Sequence, residues 1–92
     1  MKANIETMKD KIEKRIAEKQ NPVFIEKRAC FKTASEGYLR LDTIFGDSIV
    51  IEFAENTKEA ENNRFEDGDI FSLEEYREEE LANIIERAIE TY

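Results

Sequence analysis

Residues 38–54 read YLRLDTIFGDSIVIEFA, two runs of alternating apolar and polar side chains around Gly46–Asp47. Alternation at period two puts Leu39, Leu41 and Phe45 on one side of a strand, with Arg40 and Asp42 on the other. In the second run Ile49, Ile51 and Phe53 share a side. Two residues between such runs, glycine first, suit a tight II′ hairpin. Upstream, the run 23–33, VFIEKRACFKT, places Val23, Ile25, Ala29 and Phe31 on one side and Glu26, Arg28 and Lys32 on the other. Lys27 interrupts the apolar side, which marks this strand as an edge or a bulged one. Ser35–Glu36–Gly37 is a turn signal, with Gly37 suited to positive φ. The pattern predicts a three-stranded antiparallel meander over 23–33, 38–45 and 48–54.

Helical periodicity flanks the meander. Ile5, Met8, Ile12 and Ile16 form one stripe, with Asn4 as an N-cap, so a helix is expected over about 4–20. Pro22 ends it. At the other end Leu81, Ile84, Ile85, Ala88, Ile89 and Tyr92 share a face, and a helix is expected over about 73–91. Ser72 and Glu75 have the spacing of a capping box, and Phe71 and Tyr76 that of a hydrophobic staple. The polar stretch 55–69, ENTKEAENNRFEDGD, reads as an acidic loop with at most one short helical turn at 57–63. The expected fold is a single α+β domain over residues 1–92: helix, three-stranded meander, helix, with the helices on one face of the sheet. The other sheet face offers Phe24, Tyr38, Ile44 and Val50 among charges, an outer face suited to a homodimer.

Several chemistries are excluded. The chain has no histidine and one cysteine, Cys30. Neither His-dependent catalysis nor a Cys/His zinc site can be built from that set. No glycine-rich phosphate loop occurs among three glycines. A non-catalytic protein without cofactor or metal is expected. No apolar run has the roughly 18 residues of a membrane span and the start lacks a secretory h-region, so a cytoplasmic setting is expected. An EF-hand alignment of 63–74 fits at Asp67, Gly68 and Glu74 but puts Phe65 where an oxygen ligand belongs. Weak divalent-cation binding by that loop is thus a minor alternative.

Charge carries the most functional information. Residues 1–51 hold ten Lys/Arg and eight Asp/Glu; residues 52–92 hold four and fourteen, within a net charge of −8. Lys11, Arg15 and Lys19 make a basic stripe, but the overall balance opposes direct nucleic-acid binding. An intramolecular or intermolecular pairing with the acidic half is expected of that stripe. Glu75 and Glu79, like Glu86 and Glu90, lie about 6 Å apart along an ideal helix. With Glu55, Glu59, Glu61, Glu66, Asp67 and Asp69 from the loop they are expected to form one negative surface that binds a basic protein surface, with Glu66, Asp67, Asp69 and the four helix glutamates as its binding residues. In size and charge the chain resembles DNA-mimic inhibitors such as phage anti-restriction and anti-CRISPR proteins, a likeness of bulk character without a shared motif. It implies inhibition of a nucleic-acid-binding protein by charge mimicry. The alternatives are plain solubility and a self-associating housekeeping domain.

Overall fold

The computed structural model describes residues 5–92. Helix α1 (Ile5–Ala17) leads into strands β1 (Val23–Ile25), β2 (Arg28–Lys32), β3 (Tyr38–Ile44) and β4 (Ser48–Ala54). Helix α2 (Thr57–Glu61), strand β5 (Glu66–Ser72) and helix α3 (Glu78–Thr91) follow. The domain is α+β, with one antiparallel five-stranded meander in the order β1-β2-β3-β4-β5. Asn4, the expected cap of α1, lies outside the described residues.

The expected three strands become five for two separate reasons. The run 23–33 does not continue as one strand, which would span about 36 Å at 3.3 Å per residue and far overshoot its seven-residue neighbours. It folds on itself instead: Glu26 and Lys27 both take positive φ, 53° and 67°. That makes a two-residue reversal in which Ile25 faces Arg28. The turn also swaps sides, since Val23 pairs with Cys30 while Phe24 pairs with Ala29. The second reason is FEDGDIF, expected as loop and helix start, which pairs with β4 from Glu66 to Ser72.

One core gathers Ile12 and Ile16 of α1, Leu39, Leu41, Ile49 and Ile51 of the sheet, and Leu81, Ile85 and Ile89 of α3. Burying each such side chain contributes about 1.5–3 kcal/mol. Strand alternation sends Cys30, Tyr38 and Ala54 to the opposite face, where they pack with Ala60 of α2 and with Ile25 and Phe65. Helical cover is therefore not confined to one face. The expected half-apolar outer face is also corrected: Tyr38 and Val50 are buried, and Phe24 falls on the α1 side. Cys30 is fully enclosed, and burial raises its thiol pKa, the reverse of a reactive cysteine.

Three local signals act differently from expectation. The β3–β4 reversal spans Phe45 to Asp47, with Phe45 and Gly46 both at positive φ, rather than two residues with glycine first. Glu36, not Gly37, takes the positive φ in the β2–β3 loop. Gly37 is required by proximity, because a Cβ there would sit 2.4 Å from the Ala54 carbonyl oxygen. Ser72 and Glu75 do not cap α3. Ser72 is held in β5 opposite Ser48, so its hydroxyl and carbonyl close a single turn onto Glu74, Glu75 and Tyr76. Helix α3 starts at Glu78, where the Glu80 carboxylate accepts from the Arg77 N–H. The Phe71–Tyr76 contact does form, edge to face at 5.3 Å.

A buried ion pair closes the second face. Arg40 Nε donates to Glu52 at 2.7 Å, Nη1 donates to Asn63 Oδ1 at 2.8 Å, and the guanidinium lies 3.8 Å from the centre of the Phe65 ring. Arg28 reaches Glu52 and Asp42 at 3.4 Å. Removing one partner of a buried pair strands the other charge. Arg40→Ala is expected to cost about 3 kcal/mol, measured as a lowered urea midpoint at unchanged m-value.

Candidate functional site

The site is built where four segments meet at one end of the sheet. Thr33 folds the β2–β3 loop back: its Oγ1 accepts from the Gly37 N–H at 3.1 Å. The amides of Ala34 and Ser35 then donate to the carbonyls of Ile89 and Tyr92, at 3.0 and 2.7 Å. Those are end carbonyls of α3, which have no partner within the helix. These bonds fix Tyr92 over Phe53 of β4, with ring centres 4.1 Å apart and planes 31° apart. Asn56 caps α2 by accepting from the Glu59 N–H at 2.9 Å, which sets Glu55 and Glu59 beside the same ring pair. Glu66 enters from the start of β5, opposite Phe53.

Together these residues line a cleft of about 400 Å³ with Thr33, Ser35, Ala54 and Arg64. Its charged wall holds three carboxylates, Glu55, Glu59 and Glu66, against one guanidinium, Arg64. Among the described residues Arg64 pairs with Glu59 alone, at 3.8 Å. Glu55 and Glu66 form no ion pair among the described residues. Such an arrangement attracts a cation and offers it an aromatic face.

The seven expected binding residues separate into distinct places. Glu66, Asp67 and Asp69 lie exposed on β5, an outer strand of the sheet. Gly68 and Asp69 together oppose the single residue Ile51, a bulge that twists the edge. Acidic side chains and a bulge are also how a protein blocks unwanted strand addition. Glu75 sits in the turn before α3, so it is not one helical turn from Glu79. Glu79 and Glu90 are exposed on α3. Glu86 is half-buried and accepts from Lys19 at 3.0 Å, beside a hollow that Glu90 also borders. Glu78 accepts from Arg15 Nε at 2.8 Å. Arg15 of α1 and Lys19, which lies in the turn after α1 because the helix expected to reach residue 20 ends at Ala17, thus neutralise part of the α3 row, each exposed pair adding about 0.2–1 kcal/mol. The single acidic surface expected from the sequence becomes a β5 edge with an adjoining cleft and, separately, an α3 row leaning on α1.

The acidic-surface reading includes Glu55 and Glu59 without marking a cleft, and the apolar patterning includes Phe53 and Tyr92 without bringing them to it. Nothing in the sequence groups these four residues, since strand pairing and the loop-to-helix hydrogen bonds bring them together. The segment 63–74 is extended strand over 66–72, and the Asn63 side chain is taken by Arg40. Among the described residues no group of three or more acidic or thiol side chains is placed to hold a metal ion, and no helix is long and apolar enough to cross a membrane. Comparison with protein-family models, with curated proteins and with solved structures finds no match.

Two outcomes test the packing and electrostatics around this end and its neighbour. A Cβ on Gly68 would lie 2.7 Å from Phe53 Cε2 and 3.1 Å from the Ile51 carbonyl oxygen. Gly68→Ala is expected to cost about 1–3 kcal/mol through overpacking, read by urea denaturation, and to shift the Tyr92 ring resonances. On α1, burial pushes the Glu13 carboxyl above the ordinary carboxylate range, against the opposing pull of Lys9. A raised acid pKa means that ionisation disfavours the fold. The penalty is absent at acid pH and develops as pH rises through the carboxylate range. Glu13→Gln is expected to raise the melting temperature at neutral pH, with the gain vanishing at pH about 3, below both pKa values.

Proposed function

We propose that this domain is a non-catalytic binding protein whose acidic β5 edge and cleft engage a basic surface of another protein. The observation that carries the reading is the set of carboxylates Glu55, Glu66, Asp67 and Asp69, which form no ion pair among the described residues and lie along the β5 edge and its adjoining cleft. Glu66, Asp67 and Asp69 are carried on a paired strand and Glu55 directly precedes the Asn56 cap of α2, so their backbone is ordered before binding, which favours association. The sharper form is an inhibitor that occupies a phosphate-binding groove, because such grooves are lined with lysine and arginine.

The test is capture of a basic protein from native lysate by the immobilised domain. Binding is expected to fall steeply with salt and to vanish near 1 M, where the screening length is about 3 Å. Glu66→Gln combined with Asp67→Asn and Asp69→Asn is expected to abolish it. Equal retention by wild type and variant at every salt concentration refutes the charge mechanism. A second reading, self-association, draws on Val23 and Phe24, which are 46% and 68% exposed on the other outer strand, β1. Light scattering separates the two: the first reading expects a monomer and the second a dimer.

A further inference from the structure

We infer that the cleft between α2, β4 and the end of α3 seats one arginine side chain of the basic partner; this rests on the binding reading above. Tyr92 is 51% exposed and stacked on Phe53, so an aromatic face is presented to the cleft on a rigid support. Glu55 and Glu66 flank it with no competing cation of their own. A guanidinium is planar and carries its donors in a fork, so it can lie on a ring while its edge meets a carboxylate. An ammonium ion offers a point charge without a plane. The same trio occurs inside this molecule: Arg40 lies over Phe65 at 3.8 Å while donating to Glu52 at 2.7 Å. The cleft brings the same kinds of group, an aromatic ring and carboxylates, into one lining.

Two other hollows among the described residues do not offer this chemistry. Beside Glu86 and Glu90 the carboxylate already receives Lys19 at 3.0 Å, and no aromatic side chain lines the space. The hollow at Phe24 and Ala29 also has an aromatic ring beside carboxylates, but there Asp10 and Glu13 are both paired with Lys9, at 3.6 and 3.5 Å. Within the proposed cleft the internal rival is Arg64, 70% exposed and 3.8 Å from Glu59. Its place leaves Glu55 and Glu66 for the incoming group and makes it a competitor that can be removed.

The experiment is an NMR titration of the full chain with N-acetyl-arginine-N-methylamide, beside its lysine and citrulline counterparts. Arginine is expected to shift the amides of residues 33–35, 53–55, 66 and 92, saturating in the millimolar range that one small contact allows. Citrulline, an uncharged isostere, is expected to give no saturable shift, and lysine weaker ones. Glu55→Gln with Glu66→Gln is expected to weaken arginine binding about tenfold, the effect of losing a charge-assisted hydrogen bond. Tyr92→Leu weakens it in the same direction, and Arg64→Ala strengthens it. Equal shifts with citrulline, shifts confined to other residues, or full arginine binding by the double variant overturns the inference. If Tyr92→Leu keeps salt-dependent capture of the basic protein while the β5 variant loses it, the cleft assignment fails and the wider binding reading stands.

Discussion

Arg40 is the residue on which the second half of the fold turns. The sheet presents one face to α1 and α3, whose apolar stripes cover it. The opposite face contains Arg28, Arg40 and Glu52 beside Cys30, Tyr38 and Ala54, and cannot be covered by hydrophobic contact alone. Burying these charges costs several kcal/mol per ion unless each finds partners. Arg40 meets the requirement by using Glu52 across the strand pair, Asn63 above it and the face of Phe65. Two of those three partners come from the segment between α2 and β5. The ion pair therefore anchors a polar stretch that has little apolar surface of its own, and that anchoring carries Glu55, Glu59, Arg64 and Glu66 to the cleft.

Charge is distributed in two ways in this domain. Where α1 meets α3, opposite charges from distant parts of the chain meet: Arg15 with Glu78, Lys19 with Glu86. The acid there serves the contact between helices. Along β5 and α2 the carboxylates outnumber their partners, and the surplus faces solvent. A protein that needed acid only for solubility would gain nothing from placing it around a stacked ring pair. Those carboxylates also guard an outer strand, so one set of residues discourages strand addition and favours cations.

Particular residues show why some of this could be read directly and some could not. The β3–β4 pairing was legible because alternation over Leu39–Leu41 and Ile49–Phe53 is a local property. The α3 stripe from Leu81 to Ile89 was legible for the same reason. The Glu26–Lys27 reversal was not, since neither residue carries the glycine or asparagine that signals positive φ. β5 was hidden by composition: Glu66, Asp67, Gly68 and Asp69 are poor strand formers, and only Phe71 supplies a core side chain. Ser72 and Glu75 formed a sound capping signal that was outcompeted by the ladder to Ser48. Of the site, the acidic character was legible and the grouping was not, because Glu75 left the helix and Glu86 was claimed by Lys19.

By itself the sequence determined the α+β class, the central hairpin, the existence of a helix at each end, the acidic second half and the lack of imidazole or paired-cysteine chemistry. Each of these follows from periodicity within a short window or from composition. Tertiary structure alone decided the five-stranded sheet, the cover on its second face, the division of the acidic residues and the aromatic cleft. Those outcomes depend on which backbone edge is left open and which buried charge needs a partner. Such needs are settled between residues dozens of positions apart, as when Tyr92 meets Phe53 or Asn63 meets Arg40.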